Sequence, residues 1–217
     1  MVPRMRMSWW VVLGLGLAIA ACGPPAATAP AREYPGPLRA PSAYPTELAI
    51  DQTVTAIHPQ GSDSFRAVIE KRGDTLIMVG LGPHGGRAFV LTQEGDEIRF
   101  ESQLPRELPF PARYMLLDVH RAWLLGLAGA PLADGEHRAE LEGEEIVETW
   151  ADGRMIERTF RRLDGEPPGL VRITYEGGLS PDLSADPPSR VELDNGWFGY
   201  RLVLEGISRR ALEPGSR

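Results

Sequence analysis

Thr75-Leu76-Ile77-Met78-Val79 is followed by Gly82-Pro83-His84-Gly85-Gly86 and then by Arg87-Ala88-Phe89-Val90-Leu91, and the reading of this stretch decides the fold. Two runs of strand length, rich in β-branched, aliphatic and aromatic residues, flank a Gly/Pro cluster, which is the pattern of two antiparallel strands joined by a turn. Reading outward, Phe65, Ala67 and Ile69 alternate on one face of an earlier strand and Ile98-Arg99-Phe100 forms a later one. Arg72-Gly73-Asp74 and Glu94-Gly95-Asp96 supply the turns between them. From Leu48 to Ser102 the chain therefore reads as an antiparallel meander. The glycines Gly80, Gly82 and Gly85 satisfy the dinucleotide-binding spacing, but that fingerprint needs a helix N-terminus directly afterwards to face a pyrophosphate. Arg87 to Thr92 alternates as a strand instead.

Leu104 to Pro111 is a proline-broken connection, after which Met115, Leu116, Val119, Trp123 and Leu127 recur at helical spacing. This predicts one helix that stops near Gly126 to Gly129. Strands resume from Glu136 to Glu205: Ile146 to Trp150 and Met155 to Arg161 flank the turn Ala151-Asp152-Gly153-Arg154, and Leu170 to Tyr175, Val191 to Leu193 and Tyr200 to Ile207 complete the series. The expected class is α+β, mainly antiparallel β, with a helix packed on one face of a sheet curled into an incomplete, open β-barrel.

The N-terminus reads differently. Arg4 and Arg6 precede an apolar run from Trp9 to Ala21, which is shorter than the roughly 20 residues a membrane-spanning helix requires. A positive start, a short apolar stretch and small residues before a cut are the marks of a secretory signal. Ile19-Ala20-Ala21-Cys22 resembles the lipobox of bacterial lipoproteins, and Cys22 is the chain's single cysteine. The resemblance implies that Cys22 becomes the lipid-bearing first residue, carrying palmitate-type acyl chains. Each buried methylene contributes about 0.8 kcal/mol, so several chains hold firmly where one holds weakly. Gly23 stands where the lipoprotein pattern associates an aspartate with inner-membrane retention, which implies sorting to the outer membrane, facing the periplasm. Residues 22–47, with seven prolines from Pro24 to Pro45, read as an extended tether whose reach is on the order of 70 Å. The expected organisation is a signal peptide over 1–21, the lipidated cysteine and tether over 22–47, one domain over 48–210 and a tail over 211–217.

Losing the signal removes Arg4 and Arg6 and no acid, so the formal charge of −7 becomes −9. An acidic surface offers no basic patch to nucleic acid and no electrostatic attraction to anionic lipid. With one cysteine there is no disulfide framework. His58, His84, His120 and His137 are dispersed, and Asp118 and His120 sit at an offset that does not bring side chains face to face on a helix. No serine lies in a nucleophile elbow, and Glu144-Glu145 reads as part of a solvated charge run. No catalytic residue, cofactor or metal ligand is expected, and nothing in the sequence sets an oligomeric state.

Arg121-Ala122-Trp123-Leu124-Leu125-Gly126-Leu127-Ala128-Gly129 resembles the tryptophan-leucine-glycine helix end of the LolB family of outer-membrane lipoprotein receptors. Gly82-Pro83-His84-Gly85, Ile173-Thr174-Tyr175, and Val191 to Gly196 with Arg201 to Leu204 match other parts of that family in order. The chain is still more similar to an uncharacterised family of LolA/LolB-like lipoproteins, a domain of unknown function. The resemblance implies an open barrel whose concave face is covered by helix, enclosing an apolar site for a lipid or lipoprotein acyl chain near Leu116, Val119, Trp123 and Leu127. These residues also fit a plain packed core. It further implies a membrane or partner loop at Leu81, Pro83 and His84, with His84 where the receptor has a protruding leucine. Two functions stay open: a non-enzymatic carrier or acceptor with a hollow barrel, and a structural or assembly lipoprotein with a filled barrel and a protein partner.

Overall fold

Alternation of apolar and polar residues places every second side chain of a strand on one face, and here that face is continuous across the whole sheet. The computed structural model describes residues 33–104, 110–127 and 130–213. The expected signal peptide, Cys22 and residues 214–217 lie outside the described residues. The strands are β1 (Leu48–His58), β2 (Gly61–Arg72), β3 (Thr75–Leu81), β4 (Arg87–Glu94), β5 (Glu97–Ser102), β6 (Gly135–Leu141), β7 (Glu144–Ala151), β8 (Arg154–Arg162), β9 (Val171–Leu179), β10 (Arg190–Asn195) and β11 (Tyr200–Ala211). They form one 11-stranded sheet in the order β5-β4-β3-β2-β1-β11-β10-β9-β8-β7-β6. All pairings are antiparallel, so the two halves are meanders joined where β1 meets β11. The edges β5 and β6 do not pair with each other, and the sheet is open.

Cross-strand register explains the interior. Ile50 pairs with Ile69, Ile69 with Met78, Met78 with Leu91 and Leu91 with Phe100, giving one apolar row across five strands. In the other half Ile146, Phe160, Val171, Asn195 and Tyr200 form a comparable row. The aliphatic and aromatic members of both rows belong to, or pack against, a single buried cluster that includes Leu116, Leu117, Val119 and Trp123 of the helical segment, and Asn195 is the buried polar member of the second row. Residues of both sheet halves thus pack on one helix, which requires the sheet to curl around it. Fully burying each such aliphatic or aromatic side chain stabilises by about 1.5–3 kcal/mol.

The turns match their residue types. Asp152 and Gly153 both adopt positive φ, at 52° and 69°, which the two-residue β7–β8 hairpin requires and which Asp-Gly tolerates.

The helix differs from the regular period expected of it. Helix α1 (Ala112–Val119) passes into a wider π turn (His120–Leu124), closed by the Leu125 N–H donating to His120 O at 2.7 Å. Leu127 is therefore off the helix, half-buried in the segment beyond, and its N–H donates to Glu148 Oε1 at 3.2 Å. From Leu116 to Trp123 every residue is buried. A helix buried all round has cover on both sides. The sheet provides one side, and the other comes from a stretch expected to be tether.

Residues 33–47 are that cover. Their prolines read as spacer, yet Tyr34 is 1% exposed, Pro41 and Tyr44 are buried, and Pro41–Ala43 forms a 3₁₀ turn. Composition misses this because two tyrosines supply both ring area and hydroxyls with buried partners. At the other end β11 runs to Ala211, and buried Leu212 donates its N–H to Glu47 O at 3.1 Å. The start of the expected tail thus belongs to the folded body.

Candidate functional site: the covered helix and its polar fastenings

A π turn leaves carbonyls at the helix end without intrahelical partners, and buried carbonyls must find donors. Arg158 of β8 donates from Nη1 to Arg121 O at 2.7 Å, and the Tyr175 hydroxyl of β9 donates to Ala122 O at 2.8 Å. Arg158 also pairs with Glu148, directly opposite on β7, through Nε and Nη2 at 2.9 and 2.7 Å. Glu148 accepts as well from Trp150 Nε1 at 3.0 Å. This inward cross-strand pair anchors the helix end to the second half of the sheet.

Arg121 turns the opposite way. Its Nη2 lies 2.8 and 2.9 Å from the Glu144 carboxylate oxygens and donates to Pro35 O at 3.2 Å. The guanidinium is enclosed by the rings of Tyr34, Phe160 and Trp197 at 4.8, 4.9 and 4.9 Å, a cation–π arrangement that gains strength when desolvated. The expectation of a solvated run fails at Glu144, which turns inward on β7 while Glu145 faces the other side. Only tertiary packing supplies its arginine.

Asp118 accepts from the hydroxyls of Tyr34 at 2.6 Å and Tyr200 at 2.5 Å, and Asn195 Nδ2 donates to both of those hydroxyl oxygens at 3.0 and 2.9 Å. Burial pushes the Asp118 carboxyl up to about 6, against the hydrogen bonds from Tyr200 and Tyr34 and the charge of Arg121. His120 faces the first half of the sheet: Nε2 is 2.9 Å from Gln93 Oε1, and Nδ1 is 3.2 Å from the Tyr44 hydroxyl. The Gln93 amide nitrogen donates to two carbonyls, Arg39 O and Gly95 O, so its oxygen must face His120. The proton then sits on Nε2, and Nδ1 accepts from Tyr44. Burial, with Arg121 and Arg39 nearby, holds the His120 pKa down to about 4.

The sequence-selected apolar residues are buried, with Leu116 0%, Val119 7% and Trp123 8% exposed. In this form they pack against the sheet and do not line an open chamber. A concavity of about 20 Å³ lies where the segment before β1 meets the helix and β7, beside Gly36, Tyr44, His120, Arg121 and Glu144. That is room for a water molecule, whereas pockets for organic ligands run to roughly 300–1,000 Å³.

The sequence-selected loop stands apart from the helix. Pro83 and His84 are both exposed in the β3–β4 turn, closed by Gly82 N–H to Gly86 O at 2.8 Å and Gly85 N–H to Gly82 O at 2.9 Å. Leu81 is half-buried as the last residue of β3, paired with Arg66 and Arg87, so the imidazole and not the leucine is at the tip. Strand β4 comes directly after the glycines, which removes the helix a dinucleotide would need. Among the described residues no three His, Cys, Asp or Glu side chains converge as a metal site, and no helix is long and apolar enough to cross a membrane.

Sequence reasoning found the apolar helix face and missed Asp118, Glu144, Glu148 and Arg158 as members of the site. The available signal was the inward parity of Glu144 and Glu148 with Ile146 and Trp150 on one strand.

These features define a class: an open antiparallel sheet wrapped, among the described residues, around one short helix that is held by buried polar contacts to both sheet halves. The chain belongs to the family described as Protein of unknown function (DUF3261), which it matches over residues 49–208. Among solved structures it is similar to a LolA superfamily protein from Nitrosomonas europaea, at 13% identity and a TM-score of 0.43, covering 81% of this chain and 89% of that one. No curated protein matches it.

Proposed function

We propose that this chain is a non-enzymatic binding lipoprotein, anchored through lipidated Cys22 to the periplasmic side of the outer membrane, that takes a lipid-like or lipoprotein acyl chain between the helix and the concave face of the sheet. The observation that carries this reading is the chemistry of the helix–sheet contact. A permanent core is as stable or more so with apolar residues in place of buried ion pairs. Here Asp118, His120 and Arg121 occupy the buried helix and meet Glu144, Gln93, Tyr34 and Tyr200. When such a helix moves away, charged and polar groups regain water, which offsets part of the cost of separation. The apolar face left behind suits hydrocarbon.

The closed interior favours a second reading, in which the barrel is permanently filled and a protein partner binds the outer surface. Native mass spectrometry of the purified chain, with titration of fatty acids followed by tryptophan fluorescence, separates the two. A co-purified lipid, or a saturable response altered in Trp123→Phe, is expected. No bound lipid and no saturable response would leave the filled barrel. The anchor is tested separately by the mass of the mature N-terminus and by Cys22→Ser, which should release the protein or leave it uncut.

A further inference from the structure

An open sheet has two free edges, and here the chain segment before β1 lies across the gap between them. Arg39 reaches both sides. Its carbonyl accepts from Gln93 of β4, one strand in from edge β5, at 2.7 Å, and its guanidinium pairs with Glu142 in the β6–β7 turn at 2.9 Å. Neighbouring residues fasten the same segment to the rest of the body. The Ser42 N–H donates to Asp74 Oδ1 at 3.0 Å, and Lys71 Nζ donates to Tyr44 O at 2.5 Å. Over the helix, Arg113 donates to Tyr34 O and Gly36 O at 3.1 and 2.7 Å, and Tyr34 meets Asp118.

We propose that residues 34–44 are a releasable clasp over the seam between β5 and β6, and that their detachment is the step that frees the helix and opens the route for an acyl chain; this rests on the acyl-binding reading. Three observations carry it. First, the segment makes no strand pairing with the sheet, so it can leave without breaking a β ladder. Second, besides the ring contacts of Tyr34 and Tyr44, the segment is held by hydrogen bonds and by the Arg39–Glu142 ion pair, made to groups that water can satisfy, and Gly36, Pro37 and Tyr44 line a hollow of about 20 Å³ beside the helix and β7. Third, it covers the helix face opposite the sheet, so while it is seated Asp118, His120 and Arg121 are held from both sides. Tyr34 lies twelve residues along the chain from Cys22. The end of the chain that must move is thus the end nearest the proposed lipid anchor.

Elements that open locally exchange their amides faster than the global core. Hydrogen exchange on the full-length lipoprotein in detergent micelles should therefore find residues 34–44 and α1 exchanging well ahead of β1, β2, β9 and β10. Arg39→Ala, a change at a partly exposed side chain, should raise exchange of the clasp and helix roughly two- to fivefold, as expected for an exposed ion pair. Tyr34→Phe, which removes a buried hydroxyl shared with Asp118, should raise it about tenfold or more. In stopped flow with a fluorescent polyene fatty acid as probe, association should accelerate by similar factors.

Exchange of the clasp only at the rate of the core strands would overturn the proposal, as would probe association unchanged in both variants. If clasp exchange rises as expected but no probe binds, the clasp stands and the acyl reading falls. If the probe binds while the clasp stays protected, the clasp falls and the acyl reading stands.

Discussion

Arg121 and Glu144 meet at 2.8 Å with side chains only 4% and 7% exposed, one from the π turn and the other from β7. Desolvating both charges is costly, and the pair is sustained by hydrogen bonds to both carboxylate oxygens and by aromatic rings around the guanidinium. Removing one partner strands the other. Arg121→Met should lower unfolding free energy by about 3–5 kcal/mol, and Arg121→Met with Glu144→Leu should recover most of that loss. Urea midpoints measure both. An Arg121→Met protein as stable as wild type would contradict the assignment of this pair as the helix fastening.

Asp118 and His120 impose opposite pH dependences. The Asp118 carboxyl, raised to about 6, stays protonated longer in the folded state, so its contribution is present below its ordinary pKa and is lost as pH rises through about 6. His120, lowered to about 4, contributes stability that is full above its ordinary pKa near 6.5 and is lost as pH falls through about 4. Between about pH 4 and 6 the two slopes oppose, each on the order of 3 kcal/mol in total. Wild-type stability should therefore vary little across this window. Asp118→Asn should make it rise with pH, and His120→Gln should make it fall. Denaturant midpoints at pH 4, 5 and 6 decide the matter, and parallel curves for the two variants would refute it.

Gly80 lies beneath an aromatic ring. A Cβ built there would stand 2.2 Å from Phe89 Cε1, and its φ is not in the left-handed region, so the demand is for space alone. Gly80→Ala should cost about 1–3 kcal/mol from overpacking. Combined with Phe89→Leu the loss should be smaller than the sum of the single changes, because the two sites share one space. Additive thermal shifts would argue against the contact.

His84 is exposed in the β3–β4 turn, so His84→Leu should change stability by no more than about 0.5 kcal/mol. Imidazole is polar, which makes it a poor group to insert among acyl chains. Wild type should fail to replace a depleted lipoprotein receptor, and His84→Leu should improve both rescue and binding to neutral vesicles. Efficient rescue by wild type would show that this loop does not limit insertion.

The strand runs around Leu76 and Phe89, the Asp152-Gly153 turn and the apolar spacing of Leu116, Val119 and Trp123 are legible in the sequence because each is a local pattern. Period reports which face a side chain takes, and turn residues report where the chain reverses. The same logic fails at Leu127, because nothing in the helical spacing announces the π turn that takes Leu127 off the helix.

What only the tertiary structure decided is who meets whom across the sheet. Glu144 reads locally as half of an exposed acidic pair, and Tyr34 and Tyr44 as part of a proline-rich spacer. Their partners, Arg121, Asp118 and His120, lie 23, 84 and 76 residues away. Burial of a charge or hydroxyl is favourable only when a partner is brought to it, and that partner is supplied by the curl of the sheet around the helix. The sequence by itself determined most of the strand runs, the turns between them and the apolar spacing of the helix. The closing of residues 34–44 over that helix, and with it the polar interior of the site, came from packing between distant segments, which no local pattern encodes.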